Sequence, residues 1–382
     1  MKLLLIVGSA NDIFIYNYAK WIKKSLDCQI DVFEFYPSTQ QGYGNEYYDH
    51  LGNAYSCGIP LVRKYLDPYI NANSLFTFLK GKKYDIIHCH WIVSPLVLVK
   101  NLKEHCSKLI ITFWGREYAN MSLLGSNKRF RKNLDAFCED VDAMINNKTS
   151  ESLLRSQLPR FKGKYYFATL GSSPLEALYD LMEAECRDDS KIVLDIPTDK
   201  LCVLIGYSGK QLHQHIPIVE ELTKHQELKG KLHLLAPMTR GAARSYIDVV
   251  RKMLESSGYT YTLISGRFLS DIEIARLRNS TDITLQLSTT DAFSRSIIEC
   301  LCAKSLMIYG DWLGYERHLK PNGFDAICVK SISEGIDKLP MILNNMSQFE
   351  EMLQRNHESG KVKYLWSECI KDWVNAYNDL LK

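Results

Sequence analysis

Apolar and amphipathic runs alternate along the first half of the chain. The apolar runs have the length of strands and are rich in Ile, Leu and Val, as expected for strands that are buried on both faces. The runs between them repeat their apolar positions at the spacing of a helix. Strands joined by crossover helices form a doubly wound parallel sheet. The pattern predicts strands at 2–8, 29–36, 84–91, 108–115, 141–148 and 164–171, and helices at 15–26 and 94–106.

The same alternation begins again after about residue 196. It predicts strands at 201–209, 231–238, 259–266, 283–288 and 305–312, and helices at 214–225, 243–254 and 270–280. Two wound halves of this kind predict an α/β protein with two doubly wound, Rossmann-like domains that face each other across a cleft. In open parallel sheets ligands bind beyond the carboxyl ends of the strands, so candidate site residues are sought in the loops there.

The predicted boundaries divide the chain into four parts. Residues 1–172 form the first domain, 173–196 an acidic helical connector, and 197–360 the second domain. Residues 361–382 form a helix rich in aromatic residues, which cannot all be exposed on a soluble chain. This helix is therefore predicted to return to the first domain.

Composition and charge restrict the class of protein. Apolar residues make up 46% and charged residues 24%, which is typical of a globular chain and excludes a disordered one. The formal net charge of +3 is too small for a general nucleic-acid binder. The 11 cysteines follow no framework spacing, and neither a signal peptide nor a membrane span is predicted. The expected location is the cytoplasm.

Two acids, Asp291 and Glu299, flank a loop that leads into an apolar helix. Ionised carboxylates accept hydrogen bonds from hydroxyls, so such a pair suits the hydroxyls of a sugar and a ribose. Backbone N–H groups at the start of the helix suit a diphosphate. The alternative is a loop acid followed by a glutamate on an ordinary helix.

Cationic side chains follow other predicted strands of the second half. Gly209 and Lys210 precede a helix together with His213, and a glycine turn of this kind is a general anion site. Arginine presents a planar fork that suits phosphate oxygens. The arginine candidates are Arg240, Arg267 and Arg295. Two of these cations are expected to neutralise a diphosphate, and ordinary surface positions are the alternative.

The first half offers candidates for the acceptor side. His88, Cys89 and His90 alternate along a strand, so both histidines point to one face, and no further ligands at metal spacing follow. One histidine is expected to line the cleft, and His90 is the catalytic candidate. Glu117 follows the next strand and is a candidate base or a ligand of the acceptor hydroxyl. The other predicted acceptor-side residues are Ser9, Trp114 and Gly115.

These stretches resemble the GT-B glycosyltransferases over nearly the whole chain. Residues 85–96 and 108–118 resemble strands of the family's first domain, and 264–311 resemble the stretch that carries the acid pair of family 4. The spacing of Asp291 and Glu299 matches that pair, with Asp in place of the usual first Glu. Ser294 and Arg295 stand where a glycine is usual.

The resemblance implies a role for each residue of this loop. Asp291 would face the donor sugar and Glu299 the ribose, while the backbone between them would meet the diphosphate. The donor-binding residues implied on that backbone are Phe293, Ser294, Arg295 and Ser296. The turns "WGREY", "YSGKQLHQH" and "PMTRGAARSYIDVV" are also similar to bacterial 4-acetamido-4,6-dideoxygalactose transferases. The two likenesses imply opposite stereochemical outcomes, so retention and inversion both stay open.

The expected function is a metal-independent, cytoplasmic hexosyltransferase without a cofactor. It would move a sugar from a nucleoside diphosphate to a hydroxyl of a glycan or lipid-linked acceptor, in bacterial surface polysaccharide synthesis. The basic runs at 21–26 and 127–134 favour a peripheral contact with the inner face of the cell membrane, and a solvated face is their alternative. The alternatives for the whole chain are a sugar-nucleotide epimerase and a non-catalytic scaffold on the same fold.

Overall fold

The computed structural model describes residues 1–10, 12–37, 44–56, 60–92, 95–114, 128–239, 241–291 and 293–382. The chain forms two compact units. The first unit comprises Met1–Gly171 together with Trp366–Lys382, and the second comprises Ser172–Leu365. The chain therefore passes from one unit to the other twice.

The first unit is built on a parallel sheet. Its strands are β1 (Lys2–Val7), β2 (Gln29–Glu34), β3 (His50–Asn53), β4 (Tyr84–His90), β5 (Cys106–Thr112), β6 (Ala143–Asn146) and β7 (Lys164–Phe167). Their order in the sheet is β3-β2-β1-β4-β5-β6-β7. The direction of winding reverses between β1 and β4, which are direct parallel neighbours. This reversal is the place where such sheets offer a crevice to a ligand.

Helices pack on both faces of this sheet. They are α1 (Ile13–Ser25), α2 (Pro60–Leu79), α3 (Lys128–Glu139) and α4 (Glu151–Gln157). The helix predicted at 94–106 is wrong, because its described part forms two short 3-10 turns, Leu96–Leu98 and Leu102–His105. Asn101 lies between them with a left-handed φ of 63°, which an α-helix does not accommodate.

The second unit has a parallel sheet of its own. Its strands are β8 (Leu201–Ile205), β9 (Leu232–Met238), β10 (Thr260–Ser265), β11 (Ile283–Gln286), β12 (Leu306–Gly310) and β13 (Ile327–Val329). Their order is β10-β9-β8-β11-β12-β13, with the reversal of winding between β8 and β11.

The helices of the second unit follow the same alternation. They are α5 (Ser173–Ala184), α6 (Arg187–Val193), α7 (His215–Thr223), α8 (Arg244–Ser256), α9 (Asp271–Asn279), α10 (Arg295–Cys302), α11 (Glu316–Leu319), α12 (Ile332–Asp337), α13 (Leu339–Asn344) and α14 (Glu350–Tyr364). Helices α5 and α6 occupy the predicted connector, and the extended backbone at Glu185 and Cys186 separates them.

Helix α15 (Trp366–Leu381) belongs to the first unit. Its buried face joins the apolar cluster around β1 and α1. The members of that face are Trp366, Ile370, Trp373, Ala376, Tyr377 and Leu380. The helix begins five residues later than predicted, because Leu365 is extended and the residues before it end α14. The last turns of the chain thus complete the core of the first unit.

A chain of hydrogen bonds ties α15 to the first sheet. The Tyr377 hydroxyl lies 2.6 Å from the Tyr18 hydroxyl and 2.6 Å from His88 Nδ1. His88 Nε2 lies 2.8 Å from Thr112 Oγ1, which donates to the Ile145 carbonyl at 2.7 Å. Since the Thr112 hydroxyl is already a donor, it accepts from His88 Nε2–H. Tyr377 therefore donates to Nδ1, and Tyr18 donates to Tyr377.

Candidate functional site

The loops after β8 and β11 meet at the winding reversal of the second sheet. Gly206 follows β8 with a φ of 71°, and a Cβ there would lie 2.7 Å from His213 Cβ. Only glycine accepts both the left-handed backbone and this close approach. The Thr289 N–H donates to the Leu212 carbonyl at 2.8 Å, so the two loops are joined directly.

His213 lies inside this pair of loops rather than at their surface. Its ring is 1% exposed, with Nδ1 2.8 Å from Ser288 Oγ and Nε2 2.8 Å from Ser208 Oγ. Burial and then the neighbouring His215 lower the pKa of His213 to about 4. A neutral imidazole with both nitrogens occupied holds the two loops together, which differs from the predicted contact with a donor.

Three hydrogen bonds converge on the Asp291 carboxylate in the loop after β11. Its carboxylate accepts hydrogen bonds from the hydroxyls of Tyr207 and Tyr315, and from the Ser294 N–H at 3.2 Å. Burial and then the hydrogen bond to Asp291 raise the pKa of both tyrosines, so both hydroxyls stay protonated and donate. The acid is thereby fixed in position at the carboxyl edge of the sheet while its residue stays partly exposed.

Phe293 and Ser294, which directly precede α10, are held in defined conformations. Phe293 has a left-handed φ of 57°, and its ring stacks on His318 with centroids 5.1 Å apart. Ser294 is the N-cap residue, and α10 begins at Arg295, whose guanidinium lies 5.0 Å from the centre of the Tyr364 ring. Ser296 is in the first turn of the helix. Phe293 thus holds a left-handed backbone conformation that is unusual for an aromatic residue, with its ring packed against His318.

Lys210 and the loop after β9 lie side by side. A Cβ on Gly241 would lie 2.7 Å from Lys210 Cγ, and Gly241 has a φ of 73° that suits glycine. Lys210 is exposed, whereas Gly209 beside it is buried. Arg240, a predicted phosphate ligand, lies outside the described residues. The structure therefore brings Lys210 to the same sheet edge as Asp291.

Arg267 is separate from this group. It follows β10, the edge strand, and β9 and β8 lie between that strand and β11. Its guanidinium pairs with Glu273 at the start of α9. The arginine therefore pairs at a helix start and follows a strand that is two positions from β8 in the sheet.

Glu299 faces the interior of the second unit. It is 5% exposed, accepts a hydrogen bond from Ser172 Oγ at 2.9 Å, and pairs with Arg278 at 3.3 Å. Arg278 is itself 5% exposed. Both carboxylate oxygens are therefore engaged within the protein, which differs from the predicted contact with a ribose.

An aromatic group covers the winding reversal of the first sheet. Trp91, with a φ of 71°, stacks on Trp114 at 4.7 Å, and a Cβ on Gly8 would lie 3.3 Å from the Trp91 ring. Ser9 follows Gly8 and is partly exposed. The predicted residues Ser9 and Trp114 thus lie at one sheet edge. Gly115 and Glu117 lie outside the described residues.

His90 is fully buried beneath this aromatic group. The ring centroids of Trp114 and Tyr18 lie 5.7 Å and 4.9 Å from that of His90. Burial lowers the pKa of His90 to about 3, so the ring is neutral. Among the described residues, neither ring nitrogen has a hydrogen-bond partner. The β4 alternation directs both His88 and His90 into the core of the first unit, which differs from the exposed position expected for His90.

Sequence reasoning missed three residues of the second sheet's edge. Tyr207 and Tyr315 hold Asp291, and the Trp312 indole donates to the Ser288 carbonyl at 2.7 Å. Tyr207 directly follows the strand-end glycine, which is the signal that could have identified it. Trp312 and Tyr315 follow β12, and strand-end position could have identified them too.

Among the residues that the structure describes, no group of three His, Cys, Asp or Glu side chains is arranged to hold a metal ion. Within the same residues, no helix combines the length and the apolar character that crossing a bilayer requires.

Known proteins resemble the chain in part of its sequence and in its fold. Residues 3–147 match a family model described as Glycosyl transferase 4-like. No curated protein matches the chain. Among solved structures, a glycosyltransferase from Rickettsia africae is 14% identical, with a TM-score of 0.69 and coverage of 100% of this chain and 99% of that one.

Two other solved structures are similar over the same extent. Sucrose-phosphate synthase from Thermosynechococcus elongatus is 13% identical, with a TM-score of 0.68 and coverage of 100% and 99% of the two chains. HepE from Anabaena, in complex with UDP and glucose, is 10% identical, with a TM-score of 0.61 and coverage of 99% and 100%. At these identities the likeness shows the fold. The chain has the GT-B fold, and the predicted fold class is confirmed.

Proposed function

We propose that the protein is a glycosyltransferase. It moves a sugar of the hexose type from a nucleoside diphosphate to a hydroxyl of a glycan or lipid-linked acceptor. The observation that carries the proposal is the edge of the second sheet, where a fixed carboxylate, an exposed ammonium and a helix start follow neighbouring strands. The family match at 3–147 and the UDP and glucose held by Anabaena HepE support it.

The chemistry assigns a role to each part of this edge. Departure of a nucleoside diphosphate builds negative charge, which Lys210 and the N–H groups at the start of α10 stabilise. Asp291 accepts a hydrogen bond from a hydroxyl of the transferred sugar, because its position is fixed by Tyr207 and Tyr315. The acceptor binds at the first sheet's edge, near Ser9 and Trp114.

The diphosphate charge is met by Lys210 and backbone N–H groups, so transfer proceeds without a metal ion or another cofactor. The protein works in the cytoplasm, at the inner face of the cell membrane, in the synthesis of a bacterial surface polysaccharide. Transfer that stops with a chelator and returns with manganese would contradict the metal-independent reaction.

Calorimetry with a panel of nucleoside diphosphates tests the site. We expect one nucleotide to bind, and we expect Lys210→Ala to weaken it by about one to two decades, as for a lost hydrogen bond to a charged group. Lys231→Ala, an exposed lysine at the other end of the same sheet, is the matched control. The matching sugar nucleotides, including one that carries 4-acetamido-4,6-dideoxygalactose, are then assayed for transfer, and NMR of the product gives the anomeric configuration.

A non-catalytic scaffold is the second candidate. The buried pair of Glu299 and Arg278 favours it, because the resemblance assigns that glutamate to a ribose. A scaffold would transfer and hydrolyse none of the sugar nucleotides, whether or not it still bound one of the nucleotides in the panel.

A further inference from the structure

The structure distinguishes the two basic runs of the sequence. In the first run, Lys23 pairs with Asp49 at 2.9 Å, and the Lys24 ammonium lies 4.5 Å from the centre of the Trp21 ring. Those two charges are used locally. In the second run, on α3, the exposed residues Lys128 and Lys132 form no ion pair with any residue that the structure describes. The α3 run therefore leaves positive charge for a partner.

Helix α2 carries a stripe of exposed aromatic residues. Tyr65 is 71% exposed, Tyr69 48% and Phe76 53%. Their spacing of four and seven residues puts them on one face of the helix. Leu75 and Leu79, which lie beside this stripe on the helix, are fully buried. Three large aromatic rings on one solvent-facing stripe are more than scattered surface apolar residues explain.

A groove of about 780 Å³ runs between α2 and α3. Tyr69 and Phe76 line one side, and Arg129 and Phe137 line the other. The apolar residues Val97, Val99 and Leu102 also line the groove. The Arg129 guanidinium lies 5.8 Å from the centre of the Tyr69 ring, so the aromatic stripe and the basic run form one continuous surface.

We propose that this α2–α3 surface binds the face of a bilayer that contains anionic phospholipid. Lysine and arginine side chains are attracted to the negative surface potential of such a bilayer, and tyrosine rings favour the headgroup region. Basic side chains alone, or apolar groups alone, give weak and reversible attachment, whereas the two together hold a protein at the membrane. The apolar groove distinguishes a lipid surface from a soluble polyanion, which would use the cations alone.

The inference rests on the proposed function in one respect, since it places the enzyme where a lipid-linked acceptor is found. The surface itself lies in the first unit, whereas Lys210 and Asp291 belong to the second. The two assignments therefore fail independently. A protein that binds vesicles but no nucleotide would overturn the proposed function and support the membrane-binding surface. A protein that binds a nucleotide but no vesicles would overturn the membrane-binding surface and support the proposed function.

Vesicle flotation with the full chain tests the surface. We expect binding to vesicles of phosphatidylcholine mixed with phosphatidylglycerol, and little binding to phosphatidylcholine alone. Lys128→Glu with Lys132→Glu should weaken binding by at least about tenfold, because each lysine near a charged bilayer contributes measurably. Tyr65→Ser, Tyr69→Ser and Phe76→Ser together should weaken it even at low salt, where the charges alone act most strongly.

Matched substitutions in the second unit are the controls. Phe268→Ser removes an aromatic ring that is 71% exposed, and Lys231→Glu with Lys330→Glu reverses two exposed lysines. These variants should bind vesicles as the unaltered protein does. Equal loss in the controls would show a non-specific charge effect and overturn the assignment. Unchanged binding in the α2 or the α3 variant, with an unchanged melting temperature, would overturn it as well.

Discussion

Asp291 and Glu299 differ in what surrounds their carboxylates. Asp291 is partly exposed and held by two tyrosine hydroxyls, at the edge where a ligand would arrive. Glu299 is buried and held by Ser172 and Arg278. The first arrangement leaves a partly exposed acid in a fixed position, and the second joins buried parts of the second unit.

Replacing Glu299 with alanine should therefore destabilise the protein rather than simply remove a ligand. Breaking a buried ion pair leaves Arg278 uncompensated and costs about 3–5 kcal/mol. Glu185→Ala is the matched control. Glu185 pairs with Arg276, which lies on α9 as Arg278 does, but the Glu185 side chain is about a quarter exposed. The loss of this exposed pair should cost about 0–1 kcal/mol. Urea unfolding of both variants measures the difference. A Glu299→Ala variant of unchanged stability and weaker nucleotide binding would restore the ribose role.

Asp291→Asn should lower turnover more than nucleotide affinity. The amide keeps an oxygen that accepts from one tyrosine, but it loses the charge and one of the two acceptor positions. The contact proposed for Asp291 is to the transferred sugar, so affinity for the nucleoside diphosphate should stay within about threefold, below about 1 kcal/mol. Turnover and calorimetry on the same preparation test this. A loss of nucleotide affinity equal to the loss of turnover would contradict it.

At the scale of elements, the turn after β8 requires a glycine at position 206. Gly206 and Gly230 both have left-handed φ values, of 71° and 79°, but only Gly206 has a close neighbour, His213. A Cβ on Gly230 would meet no atom within 4 Å.

Gly230→Ala should thus cost about 1–2 kcal/mol, from the backbone alone. Gly206→Ala should cost about 1–3 kcal/mol more, because the new methyl group pushes against His213 in a packed interior. The comparison of the two variants in urea separates backbone strain from the clash. Equal costs would mean that the β8 loop moves freely away from the added methyl group.

The elements differ in how far the sequence predicts them. Buried parallel strands such as β1 and β11 are predicted well, because burial on both faces makes continuous apolar runs. Strand β3 has the sequence His-Leu-Gly-Asn at the sheet edge and carries no such run. The hydrogen bonds from Tyr207 and Tyr315 to Asp291 join residues 84 and 24 positions apart, so no local pattern contains them. The burial of Glu299 depends equally on distant partners.

At the scale of the whole molecule, buried histidines set the response to acid. Burial lowers the pKa of His90 to about 3, and burial is also the first cause that lowers the pKa of three others to about 4. Those three are His213, His215 and His233. In the unfolded chain a histidine takes up its proton at about pH 6.5. Each buried ring thus contributes stability that is complete above that pH and is lost as the pH falls toward its folded pKa.

We therefore expect the melting temperature to decline from about pH 6.5 downwards, before most carboxylates titrate at about pH 4. Scanning calorimetry across this range measures the decline. His233→Gln should make the decline shallower, because it removes one of the titrating rings and keeps groups that can bond Thr260 and Thr262. A melting temperature that stays constant down to about pH 4.5 would contradict the expectation.

The return of α15 to the first unit has a consequence for synthesis on the ribosome. Domains generally fold as they emerge, with the N-terminal one first, at about 5–20 residues per second. Here the first unit's core lacks Trp366, Trp373 and Tyr377 until about 200 further residues have been made after Gly171, which takes roughly 10–40 seconds. The second unit is continuous in the chain and is complete before them. The second unit is therefore complete before the first, although its synthesis begins later. Until α15 is made, the nascent first unit keeps an open apolar face that a chaperone would recognise.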